Sequence, residues 1–369
     1  MIEFLLLFVV DFCTICTKYH EEELNYKDRS MAEGLDRFLK AQESTYDRAL
    51  AEIRSGRKTS HWMWYIFPQV KGLGFSPTSE YYGISGIREA KEYINHPLLR
   101  KRLIEISEAL CSLDETDPEI VMGYPDDLKL CSCMTLFSEA AQEEDVFARV
   151  LKQYFKDQKD TETLKRIAIS VDQMRRSDAY TIEHFVSGRD LMYRAAEGVY
   201  SAYGRWQDKR IAIIVGGGNN GGDGYALSVV LKKAGIDSDV LMASDKRSDD
   251  GDYYYEKAKG MDVRILRYED KADLSGYNVI VDCLLGTGFA GEVRDDIRNV
   301  IKDINNANAY VISVDINSGL NGDTGEGKAA VRSDLTVSIG YYKHGMFKGN
   351  ASGLIGRLVN ADIGIELVD

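Results

Sequence analysis

Residues 211–224 read IAIIVGGGNNGGDG. Ile211 to Val215 form an unbroken apolar run, the pattern of a strand buried on both faces of a parallel sheet. A Gly/Asn loop follows at once, and YALSVVLKKAG then continues as a helix to Gly235. A strand that delivers its C-terminal end into such a loop, with a helix starting beyond it, is where doubly wound sheets hold anionic ligands. Gly216 to Gly218 let the backbone approach a ligand with no side chain between. The helix start adds unpaired N–H groups and a partial positive charge. The loop is neither GxGxxG nor a P-loop, because no Lys-Ser/Thr follows its last glycine. It carries Asn219, Asn220 and Asp223 instead, groups suited to amides, hydroxyls or a metal ion. An ordinary glycine turn is the bland alternative. Six glycines, two asparagines and an aspartate within nine residues weigh against it.

Strand and helix patterns alternate outward from this stretch. SDVLMA (238–243), VRIL (263–266), YNVIVDCLLG (277–286) and YVISVDINSG (310–319) read as strands, and DDIRNVIKDINNA (295–307) as a helix. TVSIGYYKHGMF and LIGRLVNADIGI supply late strands. The expected fold is therefore α/β: a Rossmann-like, three-layer, mostly parallel sheet with helices on both faces. Three loops at strand ends carry the unusual residues: GGGNNGGDG, DCLLGTGFAGEVR with Asp282, and DINSGLNGDTG with Asp315, Asn317 and Ser318. Each is weak alone, since Asp and Gly are common in loops. In such sheets these ends converge on one crevice, so together they describe a polar ligand site.

Before this half, the chain reads as a mainly α-helical domain over residues 31–160. LDRFLKAQESTYDRALAEIRSG puts Leu35, Phe38, Leu39, Tyr46, Leu50 and Ile53 on one face. GIREAKEYINHPLLRKRLIEISEALCSL holds two helices divided near His96-Pro97, with Pro97 in the first turn of the second. HWMWYIFPQ is the densest aromatic cluster; it is either core or, with His61, the lining of a pocket for a planar ligand. All five prolines, at 68, 77, 97, 118 and 125, lie in this half. KDQKDTETLK (156–165) reads as a linker or a helix end, and the second domain as 167–369.

A length of 369 residues suits two domains, and a net charge of −13 with no basic block excludes nucleic acid as the natural partner. The six cysteines are scattered and read as free thiols, which fits a reducing, cytoplasmic compartment. MIEFLLLFVV is too short to span a bilayer, and no small-residue cleavage site follows it. Residues 1–30 are thus expected to be an over-long start or a frayed extension.

Two family resemblances rest on longer stretches. LDRFLKAQ, SHWMWYIFPQ and YYGISGIREAKEYINHPLLRKRL make the first half similar to a family of small domains of unknown function, sometimes labelled calpastatin-like. IAISVDQMRRSDAYTIEHF, LMYRAA, VGGGNNGGDGYALS, VDCLLGTGFAGEVR, SVDINSGLNGDTG and ADIGI resemble the YjeF N-terminal family in order and spacing. That family includes the NAD(P)H-hydrate epimerases. The resemblance implies an isomerase, usually a homodimer, that acts on hydrated nicotinamide cofactors (NAD(P)HX) and binds potassium. Carried over, Asn219, Asn220, Gly221, Gly222 and Asp223 would hold substrate, as would Gly286, Thr287, Gly288, Phe289, Ala290, Gly291 and Glu292. Asp315 would contact it near the chemistry, and Asn220, Asp282 and Ser318 would ligate K+ through oxygens of the kind a hard cation selects. A separate NAD(P)H-hydrate dehydratase would be the pathway partner.

Two departures stand out. Asn317 replaces a frequent proline, which is expected to loosen the third loop, and Tyr193-Arg194 replaces a frequent Glu-Arg pair. On the chemistry, inverting a hydroxyl-bearing carbon next to a ring nitrogen passes through a cation. A nearby carboxylate can move the proton and stabilise that charge. Asp315 is the expected catalytic group; Lys343 is a second polar candidate, expected rather at the surface or on a phosphate. The competing class is a non-catalytic nucleotide-binding or scaffold protein of the same fold. Retention of Asp223, Asp282 and Asp315 argues for the enzyme.

Overall fold

The computed structural model describes residues 34–268 and 273–368. The expectation for residues 1–30 lies outside that range. The chain divides into two compact units at Ile167–Ala168.

The first unit is built of helices. The amphipathic stretch from Leu35 is broken at Ser44-Thr45, where the Thr45 hydroxyl bonds back to the Ala41 carbonyl at 2.6 Å, and helix resumes over Tyr46–Arg54. Pro97 opens the helix Pro97–Cys111 at its first turn, and the His96 ring caps it by accepting from the Leu99 N–H. The aromatic cluster is largely core: Trp62 and Phe67 are fully buried, and the Trp62 indole donates to Glu52 at 2.9 Å. His61 is exposed.

The 156–165 stretch is not a free linker. Asp160 receives bonds from Ser132 and from both the N–H and hydroxyl of Thr163, and starts the helix Thr161–Ile167. Thr163 and Leu164 are buried. Three lysines and three acids hide this from a reading of polarity, because only Thr163, Leu164 and Ile167 of the short helix face inward.

The second unit is a seven-stranded sheet in the order β3-β2-β1-β4-β5-β6-β7. The strands are β1 (Ile211–Val215), β2 (Asp239–Met242), β3 (Arg264–Arg267), β4 (Val279–Cys283), β5 (Tyr310–Val314), β6 (Ser333–Ile339) and β7 (Ile355–Ala361). Every pairing is parallel. β1 and β4 are buried at every position, as expected for strands covered on both faces. One layer of the core packs Ile214, Ile280 and Val311 against Ile297, Val300 and Ile304 of the helix Asp295–Asn306. The strand order reverses between β1 and β4. The crevice outside their C-terminal ends is the topological switch point, where open α/β sheets bind ligands.

Asn317 does not loosen the third loop. Its amide donates to the Val331 and Leu354 carbonyls and to the Ser333 hydroxyl, and its oxygen accepts from Thr336 at 2.6 Å. It is wholly buried and ties the loop to β6 and to the start of β7. A proline could make none of the donated bonds, so rigidity here comes from hydrogen bonding instead of a fixed φ. Tyr193 packs too: it stacks on Tyr254, with ring centroids 6.4 Å apart, and its hydroxyl accepts from Lys233.

Candidate functional site

A pocket of about 540 Å³ opens at the switch point. One side is made by Met174, Arg175 and Asp178 of the helix Val171–His184, together with Leu191 and Met192 of the helix Gly188–Tyr203. Both helices are fixed at their starts by serine caps, Ser170 accepting from the Gln173 N–H and Ser187 from the Asp190 N–H. The other side is made by the strand-end loops: Gly217 to Asn220 and Asp223 after β1, Leu284 to Phe289 after β4, and Asp315 after β5.

The expected site residues therefore separate into three groups. Asn219, Asn220, Asp223, Gly286, Thr287, Gly288, Phe289 and Asp315 line the pocket. Gly221, Gly222, Asp282 and Ser318 are buried and do not line it. A Cβ on Gly221 would lie 2.1 Å from the Gly216 carbonyl oxygen, so this turn needs glycine for close backbone packing. Ala290, Gly291 and Glu292 stand at the surface, where Glu292 pairs with Lys328 at 2.8 Å.

Lys343 corrects the expectation of a surface lysine. It is fully buried, and its ammonium sits 2.5 Å from Asp315 Oδ1, 2.8 Å from the Ile339 carbonyl and 3.4 Å from the Ser338 hydroxyl. The other oxygen of Asp315 accepts from the Thr287 N–H at 3.0 Å. Burial alone would raise this carboxyl, but the Lys343 charge and these hydrogen bonds outweigh it and hold Asp315 below the usual range. Asp315 also has φ +68°, a left-handed conformation uncommon outside glycine and concentrated at functional sites.

Two further carboxyls face the same space. Burial pushes Asp178 up to about 6, with Asp315 adding to the shift and Lys343 opposing it. Asp223 is raised well above the carboxylate range, by burial first and then by the negative charges of Asp315 and Asp178. Three carboxyls thus share one lysine. One is held ionised and two are held toward the neutral acid, the separation that assigns acid and base roles in enzyme sites. Asp178 carried no loop signal in the sequence: it sits in the middle of a helix and enters the site only through packing.

Asp282 lies beneath the pocket. Its carboxylate accepts from the Ser313 and Ser318 hydroxyls at 2.8 and 2.5 Å and from the Ser318 and Leu284 N–H groups. Ser318 also accepts from the Leu285 N–H. Asn220 is 6% exposed, and neither atom of its amide has a hydrogen-bond partner. A Cβ on Gly286 would fall 3.2 Å from that of Asn220 and 3.1 Å from Asp315 Oδ2. Asn220 and Ser318 therefore flank the same Leu285–Gly286 turn. An orphaned buried amide beside a buried carboxylate and hydroxyl is a donor set that fits a monovalent cation.

Fold and site together define a doubly wound domain with a carboxyl-lined pocket at its switch point. Comparison with known proteins makes this specific. Residues 188–345 match the YjeF-related protein N-terminus family, and residues 32–167 match a family described as protein of unknown function, DUF1810. An NAD(P)H-hydrate epimerase from Weissella koreensis is 32% identical over 202 residues, covering 54% of this chain and 91% of that one. One from Limosilactobacillus fermentum is 33% identical over 199 residues, covering 53% and 96%. A bifunctional NAD(P)H-hydrate repair enzyme from Coxiella burnetii is 32% identical over 199 residues, but the match spans only 41% of its length. Among solved structures, a conserved hypothetical protein from Mycobacterium tuberculosis is 42% identical over 37% of this chain and 97% of its own, at a TM-score of 0.36. A yeast protein is 20% identical over 52% and 86%, at 0.46. Through its second unit the chain belongs to the YjeF-related N-terminal family of the NAD(P)H-hydrate epimerases.

Proposed function

We propose that this chain interconverts the R and S forms of hydrated NADH and NADPH, as a step in nicotinamide nucleotide repair. The observation that carries the reading is the pocket at the β1/β4 switch point, where loops from three strand ends surround a buried Asp315–Lys343 pair. The hydrated ring carries its hydroxyl on a carbon bonded to nitrogen. Loss of that hydroxyl leaves a cation delocalised onto the nitrogen, and return of water to the opposite face gives the epimer. Asp315, held ionised, supplies fixed negative charge to that cation in a site partly closed to water. The N-terminal turn of the helix Asn219–Lys233 offers N–H groups to the phosphates of the dinucleotide. In the direct test, mixed hydrates are incubated with the full chain and epimer exchange is followed by NMR. Exchange well above the spontaneous rate is expected; binding without exchange would favour the scaffold reading.

Potassium belongs to the same proposal. Asn220, Asp282 and Ser318 would hold it, and the ion would add positive charge beneath the Leu285–Gly286 turn. At about 100 times its dissociation constant, a native-state ligand adds ~2.7 kcal/mol of stability. The unfolding midpoint is expected to rise with potassium over choline at equal ionic strength, and Asn220→Ala should erase the difference. Equal midpoints in wild-type protein under both salts would refute the site. A homodimer, a cytoplasmic location and a separate dehydratase that consumes one epimer complete the proposal. The buried free thiols Cys133 and Cys283 suit such a reducing compartment. Among the described residues no helix is long and apolar enough to cross a membrane.

A further inference from the structure

We propose that Asp178, on the helical side of the pocket, is the proton donor to the departing hydroxyl, working opposite the Asp315–Lys343 pair on the strand-end side. The inference rests on the epimerase reading above. Inverting one carbon needs oxygen to leave one face of the ring and water to arrive at the other. A single carboxyl held in place serves one face, so a second group must reach the pocket from another element.

Asp178 meets that requirement by placement. It lines the pocket from the helix Val171–His184, whereas Asp315 enters from the end of β5. No protein group hydrogen-bonds the Asp178 carboxyl among the described residues, so its oxygens remain available to a ligand. Asp315 differs: Lys343 and the Thr287 N–H already occupy its two oxygens. The charged groups facing Asp178 are Lys343, Asp315 and Asp223, with Arg175 of its own helix and Asp250 at the pocket lining. Burial in this largely acidic company favours the protonated form, which is the form a donor needs.

The step balances without any co-reactant. Asp178 gives its proton to the hydroxyl as the C–O bond breaks, and the nitrogen lone pair forms the C=N bond of the cation. Water leaves, and Asp178 is now ionised. Water then adds to the opposite face, the C=N pair returns to nitrogen, and the proton released passes to Asp315. Asp315 holds a proton weakly and Asp178 holds one more strongly, so return of that proton across the pocket through water runs downhill and resets the site.

The test compares wild type, Asp178→Asn and Asp178→Glu by epimer exchange on mixed NADPH hydrates, with affinity measured separately by calorimetry. A positioned acid contributes about 10²–10⁴-fold. Asp178→Asn is expected to lose that much in kcat while binding changes far less, and Asp178→Glu to recover part of it. In wild type, kcat should fall as pH rises through about 6, where the donor loses its proton, and the residual rate of Asp178→Asn should lack that limb. Exchange at the wild-type rate in a folded Asp178→Asn would overturn the role of Asp178 and leave the epimerase reading intact. A wild-type protein with no exchange would overturn both.

Discussion

Lys343→Met is expected to lower folding stability by about 3–5 kcal/mol and to remove exchange activity with it, because it strands a buried charge. The ammonium is fully buried and holds the Asp315 carboxylate at 2.5 Å, and Asp315 sits in a left-handed backbone conformation that costs ~1–3 kcal/mol to maintain. Without the lysine, the carboxyl keeps only its Thr287 contacts, and burial drives it toward the protonated form. Asp315→Asn strands the buried Lys343 ammonium in turn, although the amide keeps one acceptor oxygen for it, and its exchange rate should fall about 10²–10⁴-fold. The pH dependence separates the two. Asp315 has a folded value below its unfolded one, near 3.9, so its stabilisation is fully present above about pH 4 and fades as pH falls through the folded value. Urea unfolding of wild type should therefore weaken more steeply below pH 4 than that of Lys343→Met. Equal stability of wild type and Lys343→Met at pH 7 would show that the pair contributes nothing net.

Gly221→Ala should be nearly as severe. The new methyl would stand 2.1 Å from the Gly216 carbonyl oxygen and 2.9 Å from its carbon, and both are backbone atoms held by the end of β1. Overpacking against an unyielding neighbour costs about 1–3 kcal/mol and occasionally more. Here the upper end is expected, because relief would require the helix Asn219–Lys233 to move away from the sheet it caps. Neighbouring glycines make the comparison sharp. At Gly222 the nearest atom is the flexible Met192 Cε, at 2.5 Å, so Gly222→Ala should cost about 1 kcal/mol. At Gly218 nothing lies within 4 Å, and the change should be close to neutral. Thermal unfolding of the three variants gives the order directly. A Gly221→Ala protein as stable as Gly218→Ala would mean that the turn is not packed as described.

The sequence made the strand-end loops legible because each couples a buried apolar run to glycines, and that pairing has few uses other than ligand binding. Asn219, Asn220, Asp223, Gly286, Thr287 and Asp315 were readable for that reason and do line one pocket. The burial of Lys343 is not legible locally, because a lone lysine after a strand pattern says nothing about burial; what decides it is Asp315, twenty-eight positions away and outside any local window. Asp178 was silent for a related reason: on a helix, a single acid among charged neighbours looks solvated unless the facing element is known. The rigidity at Asn317 is equally hidden, because proline and a fully bonded asparagine rigidify a loop by different means, and only the first leaves a mark in local sequence. Glu292, in contrast, carries a loop signature but stands at the surface, since the β4 loop runs on past the pocket before the next helix begins.

The crowding of Asp178, Asp223 and Asp315 around one lysine has a consequence for what this pocket is. Its walls are two capped helices and a sheet with glycine-packed turns. Its charge responds to acidity: near pH 6 Asp178 passes between acid and anion, with Asp223 shifted in the same direction by burial and Asp315 held low by Lys343. The charge of the site therefore shifts toward negative as pH rises, and the acidity of its surroundings sets which protonation state it presents to an incoming dinucleotide.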